Sequence, residues 1–95
     1  MFVQIVKFKL KPGTSPELFI QLTRKMVAWL ETRKGFVAYE LYEGAEFWTD
    51  RIVWNDKNHA EDGLKDLLLT DIARQIMKFV EEDFSSFMGL AVVTI

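Results

Sequence analysis

A chain of 95 residues with a formal net charge of −2, no block of like charge and no cysteine has neither the basic face of a nucleic-acid binder nor the thiols of a disulfide scaffold or a Cys-ligated metal site. Its length fits one domain, residues 1–95, and a content of 49% hydrophobic and 14% aromatic residues is rich for so small a body, so part of this apolar surface is expected to meet a second subunit. No apolar run nears the roughly 20 residues of a membrane span, and Met1–Ile5 lacks the pattern of a secretory leader, which makes the cytoplasm the expected address and a membrane partner unexpected.

Residues 2–11 alternate. Phe2, Gln4, Val6, Phe8 and Leu10 share one face of a predicted strand, with Val3, Ile5, Lys7, Lys9 and Lys11 on the other. The basic end reads as a solvated edge that discourages aggregation, and Pro12-Gly13 stops the strand. Ser15-Pro16-Glu17 opens a helix: a serine caps free N–H groups, proline fits the first helical position, and the acid suits the positive end of the dipole. Leu18, Leu22, Met26 and Trp29/Leu30 form its predicted buried stripe, with Phe19 beside it, and Lys34-Gly35 ends it.

Phe36–Glu43 reads as a strand, with Phe36, Ala38, Glu40 and Tyr42 on one face and Val37, Tyr39, Leu41 and Glu43 on the other. Glu43–Glu46 is a hairpin turn. Phe47–Trp54 returns, with Asp50 and Arg51 pointing to opposite faces. Asn55 or Asp56 caps a further helix with the stripe Ala60, Leu64, Leu67 and Leu68. Thr70-Asp71 reads as a fresh N-cap, and so as a break, before Ile72, Ile76 and Phe79/Val80. Phe87–Ile95 is apolar on both faces, which predicts a last strand buried on both sides.

The order is β-α-β-β-α-β. That predicts an α+β, ferredoxin-like fold, a four-stranded antiparallel sheet with helices on one face. The other face is expected to pack on a second copy, giving a homodimer whose two sheets form a joint barrel.

With these elements laid out, the chain resembles the dimeric α/β-barrel superfamily, and most of all its antibiotic-biosynthesis-monooxygenase group. The matching pieces are Lys11-Pro12-Gly13 after the first strand, Lys34-Gly35-Phe36-Val37-Ala38-Tyr39-Glu40 opening the second, and Ile52-Val53-Trp54-Asn55-Asp56 closing the third. The resemblance implies a small apolar pocket between sheet and helices, and members that include cofactor-free quinone-forming monooxygenases, haem-degrading enzymes, isomerase-like proteins and many with no known role. Where the family often carries a helical His about nine residues after the Trp, this chain has Gly63, and its one histidine, His59, lies a helical turn earlier. The first-strand Asn of haem degraders has no counterpart beyond Gln4 and Val6, and no His stands in Ile72–Glu82. Haem degradation is therefore not expected.

Five side chains are candidates for chemistry. The resemblance places Trp54 at the pocket wall, where it would stack on a flat ligand; a core anchor is the plainer explanation. His59 has a side chain that titrates near neutrality and suits a general base, against a surface histidine among Asp56, Lys57, Glu61 and Asp62. Gln4 stands among apolar neighbours, where a buried amide needs partners. Tyr39 offers a hydroxyl for a phenolic or carbonyl oxygen, and Arg51 is either a pocket group or half of a cross-strand ion pair. No metal-ligand spacing stands out. The expected function is a cofactor-independent monooxygenase-like reaction on a small aromatic, phenolic or quinol substrate, with Trp54 and His59 as catalytic candidates and Gln4, Tyr39 and Arg51 as substrate-binding ones. The alternatives are a non-catalytic small-molecule-binding or stress-related dimeric α/β-barrel protein, or a purely structural assembly.

Overall fold

A computed structural model describes residues 1–95. The elements are β1 (Phe2–Phe8), α1 (Pro16–Leu30), β2 (Phe36–Glu43), β3 (Trp48–Trp54), α2 (Lys57–Leu67), α3 (Asp71–Met77) and β4 (Ser85–Leu90). The strands form one antiparallel sheet in the order β2-β3-β1-β4, the ferredoxin-like arrangement.

The caps lie where the sequence predicts them. Ser15 accepts from the Leu18 N–H, Asp56 from that of His59, and Thr70 from that of Ala73. Thr70 thereby starts α3 afresh and turns the second helical region into two pieces. Gly35 takes φ +86° at the turn into β2, a conformation that glycine adopts without strain. Leu10 bridges to Val80, which ties the chain after β1 to the chain after α3.

Antiparallel pairing places Phe2 opposite Trp54, Gln4 opposite Ile52, Val6 opposite Asp50 and Phe8 opposite Trp48. This is the face the helices cover. Its aromatic and aliphatic side chains join Phe19, Leu22, Met26 and Leu30 of α1 in one core. The buried stripe of α1 is thus centred on Phe19, Leu22, Met26 and Leu30, and Leu18 is 43% exposed. The buried stripe is turned toward Phe19, which lies a hundred degrees round the helix from Leu18.

Two further differences come from the sheet. A bulge between Phe36 and Ala38 interrupts the alternation of β2. Phe36 pairs with Trp54 and Tyr39 with Ile52, so both face the helices, whereas strict alternation sets them on opposite faces. The last strand is Ser85–Leu90, and it is an edge strand rather than one buried on both sides. Phe87 is 60% exposed and Val92 84% exposed, because β4 has a neighbour only on its β1 side and no layer covers the far face of the sheet. That far face carries Val3, Ile5, Val53 and Phe87, together with the Glu40–Arg51 ion pair. No helix is long and apolar enough to cross a membrane.

Helix α2 meets the sheet closely at Gly63. A Cβ there would lie 2.1 Å from Cη2 of Trp54, so the indole fills the space a side chain would need. Trp54 and Ala60 beside it are 1% and 0% exposed. Gly63→Ala is expected to destabilise the fold by roughly 1–3 kcal/mol through overpacking, as measured by urea unfolding. Combined with Trp54→Phe, which removes the clashing ring atoms, the same substitution should cost less than on its own, a coupling that a double-mutant cycle reads directly.

Candidate functional site

Away from Gly63 the layers diverge and leave a cavity of about 280 Å³ between the sheet and the helices. Phe19 and Met26 of α1, Leu67 of α2, and Ala73 and Ile76 of α3 form its walls. Its mouth is apolar: Leu68, Met77 and Phe84 line it while remaining 59%, 44% and 42% exposed. The sheet supplies a polar floor. Ile52 pairs with Gln4 on one side and with Tyr39 on the other, and Asp50 lies two residues along the same strand. Asp50 is therefore the diagonal neighbour of both Gln4 and Tyr39 on one face.

This floor is only half satisfied. The Tyr39 hydroxyl donates to Oδ2 of Asp50 at 3.0 Å. Oδ1 of Asp50 is out of contact with solvent and has no partner, and so is Oε1 of Gln4, a residue only 6% exposed. Thr23, also on the wall, donates its hydroxyl to the Phe19 carbonyl at 2.9 Å. Buried acceptors without donors are uncommon in folded proteins, and each costs roughly 1–3 kcal/mol of desolvation.

Asp50 is the one charged side chain on the cavity wall. Burial disfavours its ionised form. It outweighs the Tyr39 hydroxyl and the Val6 backbone N–H, which favour that form, and the carboxyl is pushed up to about 6 from an ordinary 3.8. Burial, and then the charge of Asp50, raise the Tyr39 phenol well above its usual range. Tyr39 is therefore a fixed donor at neutral pH, and Asp50 the group that titrates.

The structure brings two of the five sequence candidates together and separates the other three. Gln4 and Tyr39 line the cavity. Trp54 does not; its ring is packed edge-on against Phe36 at 6.0 Å and against Gly63. His59 lies in the first turn of α2, with Nδ1 2.9 Å from both oxygens of Asp56 and its ring against Gly35. Trp54 is held away by its packing on Gly63 and Phe36, and His59 by Asp56 and Gly35, whereas the cavity lies against Leu64, Leu67 and Leu68. Arg51 is on the uncovered face of the sheet, paired with Glu40; strand alternation puts it opposite to Asp50. No three His, Cys, Asp or Glu side chains converge to hold a metal ion. Asp50 is the group that the sequence candidates omit. Its signal was present: a lone carboxylate in strand register with Trp48, Ile52 and Trp54.

No family model and no curated protein matches this sequence. Solved structures match its shape. A point mutant of the cofactor-independent oxygenase SnoaB of Streptomyces nogalater superposes with a TM-score of 0.84 at 16% identity, over 99% of this chain and 95% of that one. A structure described as an antibiotic biosynthesis monooxygenase matches with a TM-score of 0.71 at 17% identity, over 98% and 100% of the two chains. A protein of Arabidopsis thaliana matches with a TM-score of 0.83 at 9% identity, over 100% and 99%. The chain therefore has the fold of the antibiotic-biosynthesis-monooxygenase-like proteins that its sequence resembles. At the position where that resemblance leads one to look for a helical His, Gly63 has given its space to the Trp54 indole.

The raised carboxyl links stability to pH. Asp50 binds its proton more tightly when folded than when unfolded, so its contribution to stability is fully present below its ordinary value of 3.8 and is lost as pH rises through about 6. Asp50→Asn is expected to match the wild type near pH 4 and to exceed it above pH 7 by roughly 2 kcal/mol. Thermal unfolding across this range checks the sign.

Proposed function

We propose that this protein is a cofactor-independent monooxygenase-like enzyme acting on a small aromatic, phenolic or quinol substrate. The observation that carries this is the cavity itself: an apolar chamber of about 280 Å³ whose floor presents two unpartnered acceptors, Gln4 Oε1 and Asp50 Oδ1. A planar ring fits the walls. Its hydroxyl groups supply the donors the floor lacks, and their protons leave at the one titratable group that faces them. The resulting anion reacts with O₂ directly, while the protein supplies exclusion of water and fixed hydrogen bonds. The volume is at the small end for ligand pockets, which favours one or two fused rings. In this account Gln4 and Tyr39 bind the substrate, and Trp54 acts indirectly by fixing the distance between α2 and the sheet. The oxygenase name of one structure of like fold, SnoaB, is consistent with the proposal.

The glycine at position 63 favours a second reading, a dimeric protein of the same fold that binds such a ring without transforming it. Oxygen-electrode assays with one- and two-ring quinols separate the two. Substrate-dependent O₂ uptake is expected. It should fall at least tenfold in Ala73→Leu, which fills the cavity, with little change in melting temperature. Binding of the quinols without uptake would establish the second reading.

We further propose a homodimer through the uncovered sheet face, supported by the exposure of Phe87, Val92 and Val93 at 60%, 84% and 76%. Phe87→Glu removes an aromatic worth about 1.5–3 kcal/mol on burial. Sedimentation should show the dimer weakened roughly tenfold to a hundredfold, and a wild-type monomer at micromolar concentration would refute the assembly.

A further inference from the structure

A second space lies beside the chamber. A groove of about 510 Å³ runs between α1 and β2, the edge strand of the sheet. Ile20 and Val27 of α1, Leu41 of β2 and the buried Trp48 of β3 make its floor apolar, and the exposed Arg24, Glu31 and Glu43 stand at its rim. Two residues belong to both spaces: Thr23 and Tyr39 line the groove and the chamber alike. The partition between the two is thus one side chain thick, and Tyr39 within it is only half-buried.

We propose that this groove admits a small, neutral, non-polar molecule, dioxygen, to the chamber through the Thr23–Tyr39 partition. The inference rests on the oxygenase reading above and adds the way in for its second reactant. The mouth of the chamber carries Phe84, on the chain leading into β4, whereas Tyr39 stands on β2, at the other end of the strand order. A ring that enters by the mouth and seats on Gln4 and Asp50 occupies that path. Dioxygen must then reach the ring from another side, and at Thr23 and Tyr39 the wall is only one side chain deep.

The chemistry of the partition selects what crosses it. Thr23 spends its hydroxyl on the Phe19 carbonyl, and Tyr39 spends its own on Asp50. A polar molecule leaving water finds no free donor there and loses its hydration. An anion also meets the Asp50 carboxylate behind the partition. Dioxygen makes no strong hydrogen bonds and gives none up. Protein interiors are close-packed, so passage takes a transient displacement of side chains and no open tunnel. Ile20 and Val27 touch the groove and not the chamber, which lets the passage be altered without altering the binding wall.

The test is fluorescence quenching of a bound ring. 2-Naphthylamine, a two-ring probe with N–H donors for the floor, is bound to the protein and excited beyond the tryptophan band. Its lifetime is followed against dissolved oxygen and against acrylamide, a polar quencher. Oxygen is expected to quench the bound probe, and acrylamide to leave its lifetime nearly unchanged. Val27→Trp, which fills the groove from outside the chamber, should lower the oxygen quenching constant roughly threefold or more. Ile20→Trp makes the same test should Val27→Trp fail to fold. Leu68→Trp, at the mouth, should leave the constant as in the wild type. Folded groove variants with the wild-type constant, a mouth variant that lowers it in their place, or equal quenching by acrylamide overturns the proposal. In the uptake assay the groove variants should raise KM for O₂ and leave that for the quinol unchanged. No uptake by the wild type would remove the oxygenase reading, while the quenching constants still decide the passage. A probe that fails to bind removes the chamber as a ring site and the passage with it.

Discussion

The contact between the Trp54 indole and Gly63 fixes where everything else lies. A helix that carries a side chain at its contact point stands off the sheet by the thickness of that side chain. Here the helix has none, and the indole takes up the whole gap. The middle of α2 is thereby seated directly on Trp54 of β3. The helical region then breaks at Thr70 and restarts as α3, and the cavity lies beneath Leu67 and Ile76.

What sits in that chamber follows from strand geometry. A period of two places Asp50 among core residues and Arg51 outside, and no local adjustment can exchange them. The cost of the buried carboxylate is moderated by the Tyr39 hydroxyl and the Val6 backbone N–H. A fully stabilised carboxylate would have lost its affinity for protons, and an unsupported one would be free to turn away. The Tyr39 hydroxyl holds Oδ2 in place while burial still raises the carboxyl. Stability given up at a position that faces a ligand chamber is a pattern associated with function more often than with folding.

Most of the architecture was legible in the sequence because it rests on local signals. Ser15, Asp56 and Thr70 announce helix starts, Gly35 a turn, and the alternation of residues 2–8 a half-buried strand. The site was legible only in part. Gln4 and Tyr39, which line the cavity, stand out in the sequence because a polar group in an apolar alternation is conspicuous. Trp54 and His59 were attractive by type, yet their distance from the chamber depends on how α2 seats on the sheet, which one glycine decides. Asp50 was visible as a lone acid in an aromatic strand, but its partner was not. The bulge that turns Tyr39 toward it leaves no mark in the periodicity of Phe36–Glu43. The exposed last strand was misjudged for a related reason: apolar composition tells that a surface needs cover, and not whether the same chain supplies it.

The bulge at the start of β2 has a consequence for how chains of this shape are to be compared. One extra residue between Phe36 and Ala38 lets both Phe36 and Tyr39 face inward. Take that residue away and one of them must rotate to the outside, since a strand has no intermediate setting. A single-residue gap at this point in an alignment is therefore not a trivial difference in loop length. It separates chains that can seat a phenol beside the strand carboxylate from chains that cannot, even where every side chain of the motif is retained.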